Sequence, residues 1–232
     1  MEVLFYVLLS IAILMAVVFV VFSNGQKGFL SLSLKSIASF CFIILAMYIM
    51  FTKGASVAAC LFVAGFVASG FGDIILALPD MPELNKKAQL ITLIGGLCFA
   101  VAHIFYISAM IVLFGFKWWI ILCAIALGAI FCWGNKAVGK LNYGKLNAGM
   151  PVYSVFVSMV VGVSIFVLTT GANLTGSILL LLGFILFWLS DIVLMHIYFG
   201  NKPDKNKFLY YFNLSFYYAA QILIAYSLVF LL

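Results

Sequence analysis

Eight apolar runs, at about 3–23, 33–52, 56–78, 88–114, 118–133, 149–170, 174–199 and 208–232, occupy most of this 232-residue chain. Most are about 20 residues long, which at roughly 1.5 Å per residue is what a helix needs to cross a hydrocarbon core. Inside lipid every backbone N–H and C=O must find a partner within the protein, so such runs become helices or the strands of a closed barrel. A barrel would alternate apolar and polar residues in strands of roughly ten with turn signals between them. These runs are continuous and rich in Leu, Ile, Phe and Ala, so they predict an all-α integral membrane protein, one bundle of eight transmembrane helices. The balance of 67% hydrophobic to 8% charged residues leaves too little polar surface to coat a water-soluble globule. No linker or charge block separates two soluble domains, the longest polar loops being about 134–148 and 200–207, so residues 1–232 are expected to form a single membrane domain. The first run follows Glu2 rather than a basic n-region and is read as a retained helix, not a cleaved signal.

Twelve lysines orient the bundle, because positive charge in short loops stays on the cytoplasmic side. Lys27, Lys35, Lys86, Lys87, Lys136, Lys140, Lys145, Lys202, Lys205 and Lys207 fall in or beside the odd-numbered loops, whereas the even ones hold Lys53 and Lys117. With an even number of helices, that bias puts both termini on the outer, periplasmic or lumenal, face. The net charge of +6 is then a matter of topology and anionic lipid, with no nucleic-acid motif in view. Cys41, Cys60, Cys98, Cys123 and Cys132 lie in apolar segments without a C-x-x-C pair, and read as buried thiols.

Within this apolar background two charges stand alone: Asp73 in FVASGFGDIILAL and Asp191 in FILFWLSDIVLMH. A carboxylate at membrane depth is expensive and tends to mark a site. Asp73 falls roughly 25 Å along the third helix, in its cytoplasmic third, and Asp191 at nearly the same depth on the seventh. Both begin the pattern aspartate, isoleucine, any residue, leucine, and helices four apart run in one direction, as a parallel internal repeat requires. Gly65, Ser69 and Asp73 form a small-residue stripe that turns Asp73 into the bundle. His103 shares a face with Gly96, Ala100, Tyr106 and Met110, and Asn213, Tyr217 and Gln221 line up on the eighth helix. Each polar residue also has a plainer role open to it: structural hydrogen bonding for Asp73 and Asp191, interhelical hydrogen bonding for His103, Asn213, Tyr217 and Gln221, and snorkelling for Lys35 at a helix end. His196 lies about 140° round its helix from Asp191 and need not share its site.

Taken in order, FGDIILAL, AHIFYI, LSDIVLMHIYF and FYYAAQILIA, on helices three, four, seven and eight, resemble the YhhN-like family of membrane lysoplasmalogenases over essentially the whole chain. Carried over residue by residue, the resemblance picks out Asp73, His103, Tyr106, Asp191, Tyr217 and Gln221. Lys35 matches the family's lysine at the start of helix two, although Ser36 follows where the family usually has proline. What the resemblance implies is hydrolysis of the vinyl-ether bond of a lysoplasmalogen to a fatty aldehyde and a glycerophospho-headgroup. Asp73 and Asp191 would then be a general acid and base, with Lys35, His103, Tyr106, Tyr217 and Gln221 binding the substrate. No cofactor or metal is called for, and the implied partners are a lysophospholipid and the bilayer of a bacterial inner membrane or an endoplasmic reticulum. Two rivals share the same residues. Asp73, His103, Asp191 and His196 are possible zinc ligands, though no H-x-x-x-H pairing is present. Buried aspartates in repeated helices also suit a proton-coupled carrier, although Pro79, Pro82, Pro151 and Pro203 all avoid mid-helix positions.

Overall fold

A computed structural model describes residues 2–23, 28–78, 87–141, 143–144, 147, 149–200 and 207–232. Eight helices account for nearly all of them: α1 (Glu2–Ser23), α2 (Phe29–Lys53), α3 (Val57–Ala77), α4 (Ala88–Phe114), α5 (Trp119–Gly139), α6 (Gly149–Leu168), α7 (Leu174–Phe199) and α8 (Lys207–Leu231). All eight are long and apolar enough to cross a membrane, and no strand occurs among the described residues. The chain is a multi-pass, all-helical membrane protein. Lys27, Lys86, Lys145, Lys202 and Lys205, half of the lysines on the predicted cytoplasmic side, lie outside the described residues, as do Pro79, Pro82 and Pro203.

Helix ends follow local chemistry. The Ser56 hydroxyl accepts from the Ala59 N–H at 3.2 Å, and the Asn173 side chain from the Gly176 N–H at 3.1 Å, so α3 and α7 each start on a side-chain cap. Gly54, at φ +107°, ends α2 in a conformation that a side chain would strain, and its N–H still reaches the Met50 carbonyl. The largest departure from the sequence reading is α5, which runs six residues past Trp133 to Gly139. Gly134, Asn135 and Lys136 read as a polar loop, yet Asn135 is only 3% exposed and turns inward. Helix α2 likewise begins four residues early, at Phe29.

The helices group into two compact units. One comprises Met1–Ala109 with Leu228–Phe230 and Leu232, the other Met110–Ser227 with Leu231. In the first unit α1 packs on α2 and α2 on α3, around the fully buried rings of Phe19, Phe42, Phe62 and Phe66. Close approach of α3 and α4 depends on glycine: a methyl at Gly65 would sit 2.5 Å from the Tyr106 ring. In the second unit α5, α6 and α7 pack together, and α8 joins α7 at Gly183. A methyl there would lie 2.7 Å from an Ile224 side-chain carbon and 3.1 Å from its backbone nitrogen. Lipid tails are as apolar as leucine, so helices in a membrane associate through such tight van der Waals contact and through hydrogen bonds.

Candidate functional site

Asp73 is 2% exposed, in the last turns of α3, and α2 supplies its partners. The Ser39 hydroxyl donates to Asp73 Oδ2 at 2.7 Å, and Lys35 Nζ lies 3.4 Å from Oδ1. Lys35 and Ser39 are one turn apart on α2, so a single helix face delivers both a cation and a neutral donor to one carboxylate. The lysine side chain is 12% exposed, which draws the ammonium inward to the aspartate instead of out along a helix end. One turn before Asp73 on α3, the hydroxyl of Ser69 is buried and has no hydrogen-bond partner among the described residues. Other buried helical serines, Ser164 and Ser227 among them, bond back to a carbonyl of their own helix.

Asp191 is equally buried on α7, with different company. The Tyr153 phenol, from the first turns of α6, donates to Asp191 Oδ2 at 3.0 Å. Five residues further along α6, Ser158 accepts from the Trp188 indole N–H at 2.9 Å, so two hydrogen bonds fix the register of α6 against α7. Tyr153 and Trp188 both pack on a core cluster that includes Phe131, Tyr143, Met150 and Met195. Next to Asp191, Ser190 is tied to α8: Asn213 Nδ2 donates to the Ser190 carbonyl at 2.8 Å and to its hydroxyl at 3.0 Å. Asn213 thereby acts as interhelical glue that holds the turn carrying Asp191.

The remaining predicted residues are all buried. His103 Nδ1 donates to the Phe99 carbonyl at 2.6 Å, which puts the proton on that nitrogen, since a carbonyl only accepts. Tyr106 is wholly enclosed, its ring against Gly65 and, edge-on, against Phe66 at 5.4 Å. Tyr217 stacks edge-on between Phe187 and Tyr218, at 5.5 and 5.1 Å, and Gln221 is inaccessible to solvent. His196 turns to α5: its Nδ1 bonds the Ile192 carbonyl at 2.9 Å while Nε2 lies against Gly139. Beyond the end of α5, burial pushes the Tyr143 phenol up to about 12, with Cys132 adding to the shift and the Asn135 amide opposing it. That phenol is a neutral O–H throughout the working pH range. Among the described residues no three His, Cys, Asp or Glu side chains gather as metal ligands would.

Two partners escaped the sequence reading. Ser39 had a signal, one turn beyond Lys35 on the same face of α2. Tyr153 had none in its own helix, where position i+4 is the apolar Val157.

The YhhN family model matches residues 30–228 of the chain. No curated protein and no solved structure matches it.

Proposed function

The chain belongs to the YhhN family, and from that premise we propose that it is a lysoplasmalogenase, a membrane hydrolase that cleaves the vinyl-ether bond of an alkenyl lysophospholipid. The observation that carries this reading is a pair of carboxyl groups sunk in apolar helices with unlike partners: an ammonium and a serine hydroxyl at Asp73, a phenol at Asp191. Groups so placed are functional by default.

A vinyl ether, R–O–CH=CH–R′, is cleaved by adding a proton to its β-carbon, which leaves an oxocarbenium ion. Water adds to that ion and loses a proton, and the hemiacetal collapses to an alcohol and an aldehyde. One carboxyl must therefore donate a proton while another accepts one, as in glycosidases with an oxocarbenium-like transition state. In this reading Asp191, whose partner is neutral, is the acid. Asp73, beside Lys35, is the carboxylate that takes the proton from water and steadies the cation. The Ser69 hydroxyl, one turn from Asp73, is suited to hold that water. His103, Tyr217 and Gln221 bind the glycerol portion and Tyr106 shapes its wall. An ammonium has three donors, so Lys35 serves the substrate phosphate as well as Asp73. The lysine distribution further supports both termini facing outward, with the lipid drawn from the cytoplasmic leaflet.

The test is to incubate purified protein with an alkenyl lysolipid and its acyl counterpart and to assay for aldehyde and fatty acid. Aldehyde from the first alone is expected, falling about a hundredfold or more in Asp73→Asn and in Asp191→Asn. Wild-type aldehyde release from either variant overturns the acid/base roles, and fatty acid from the acyl lipid redirects the assignment to an esterase.

A further inference from the structure

Asp73 and Asp191 stand 118 positions apart in the chain, and the same separation links Lys35 with Tyr153, Gly65 with Gly183, His103 with Gln221 and Tyr106 with Ile224. Contacts within each unit obey this register. Gly65 makes room for Tyr106, and Gly183 makes room for Ile224. Lys35 meets Asp73, and Tyr153 meets Asp191. Four residues of shared pattern around two aspartates are weak support for a repeat, whereas pairs of positions that keep both spacing and contact are strong support. The chain thus carries two copies of one plan, in which a fixed position on α2 or α6 supplies the partner of the aspartate on α3 or α7. What differs is the occupant of that position: an ammonium in one copy, a phenol in the other.

We propose that Tyr153 is the positioning residue of Asp191, its O–H donating to Oδ2 so that the transferable proton resides on Oδ1, a role that rests on the vinyl-ether reading. A carboxylic acid has one O–H and one carbonyl-like oxygen, and a donor at Oδ2 makes that oxygen the carbonyl one. When the Oδ1 proton passes to the substrate β-carbon, Asp191 becomes a carboxylate and the Tyr153 bond becomes charge-assisted, about twice as strong as before. The bond therefore strengthens in the transition state, where it raises kcat, more than in the ground state, where it would only lower KM. A lysine at position 153 would hold Asp191 as the carboxylate and leave it no proton to give. The Trp188–Ser158 bond keeps α6 and α7 in the register that the Tyr153–Asp191 bond needs.

The experiment combines infrared spectroscopy with kinetics on the full chain in detergent. A carboxylic-acid C=O band that vanishes in Asp191→Asn identifies the Asp191 proton. In Tyr153→Phe, which retains the ring packing, that band is expected to move to higher wavenumber as the carbonyl oxygen loses its donor. In the same variant kcat should fall about tenfold, with KM within about twofold. Should Tyr153→Phe fail to fold, 3-fluorotyrosine at position 153, a stronger donor, should move the band the other way. A band unmoved by either change, no Asp191 acid band at all, or an unchanged kcat in an active protein overturns the proposal. A wild type that releases no aldehyde overturns the vinyl-ether reading instead, while the band still reports whether Tyr153 holds Asp191.

Discussion

At the scale of single residues, the Lys35–Asp73 pair bears directly on stability. Both side chains are largely out of solvent, and removing one partner of a buried pair leaves an uncompensated charge, at a cost of about 3 kcal/mol or more. Lys35→Met is therefore expected to unfold at distinctly lower temperature in detergent, and Lys35→Met combined with Asp73→Asn to recover most of the loss. A double variant no better than the single one would show that the pair contributes through something other than its charges. Ser69 offers a second prediction. Its hydroxyl, buried and unpartnered among the described residues, makes Ser69→Ala nearly neutral for folding but harmful for hydrolysis. With methanol present, the variant should divert more of the oxocarbenium ion to mixed acetal than the wild type does. Equal partitioning in the two proteins would remove Ser69 from the handling of water.

At the scale of helices, glycine sets how closely elements approach. A methyl at Gly183 would press on the Ile224 side chain and come within 3.2 Å of the Ala220 carbonyl oxygen, and backbone on that side has little freedom to give. Gly183→Ala should therefore destabilise the protein by about 1–3 kcal/mol, as overpacking does. Because Asp191 lies about two turns further along the same helix, activity should fall further than stability alone explains. Thermal melts and aldehyde assays on the same preparation check both. Gly96→Ala, where the added methyl meets nothing within 4 Å, is the control expected to leave both unchanged. The extension of α5 through Gly139 belongs at this scale as well. Asn135, Gly139 and Tyr143 are spaced four apart. The approach of His196 to Gly139 gives that last stretch a partner on α7, so tertiary contact carries the helix past the polar residues that would otherwise end it.

For the whole molecule, the prediction concerns orientation. If lysines mark the cytoplasmic side, single cysteines introduced near Lys53 and Lys117 in an otherwise cysteine-free version should react with an impermeant thiol reagent added from outside, and one near Lys140 should not. The opposite pattern would invert the topology and with it the leaflet that supplies substrate. The eight helices and nearly all their limits were legible in the chain itself, because a bilayer demands long apolar runs with internally satisfied backbones and almost nothing else can satisfy that demand. The two aspartates stood out for the same reason, since a carboxyl at membrane depth is expensive to bury. Which side chains meet those aspartates was decided only in three dimensions. Ser39 and Tyr153 reach them across helix interfaces from 34 and 38 residues away. A one-dimensional pattern records the face of a helix, not the rotation and register of its neighbour, and it is that register which gives one carboxyl a cation and the other a phenol.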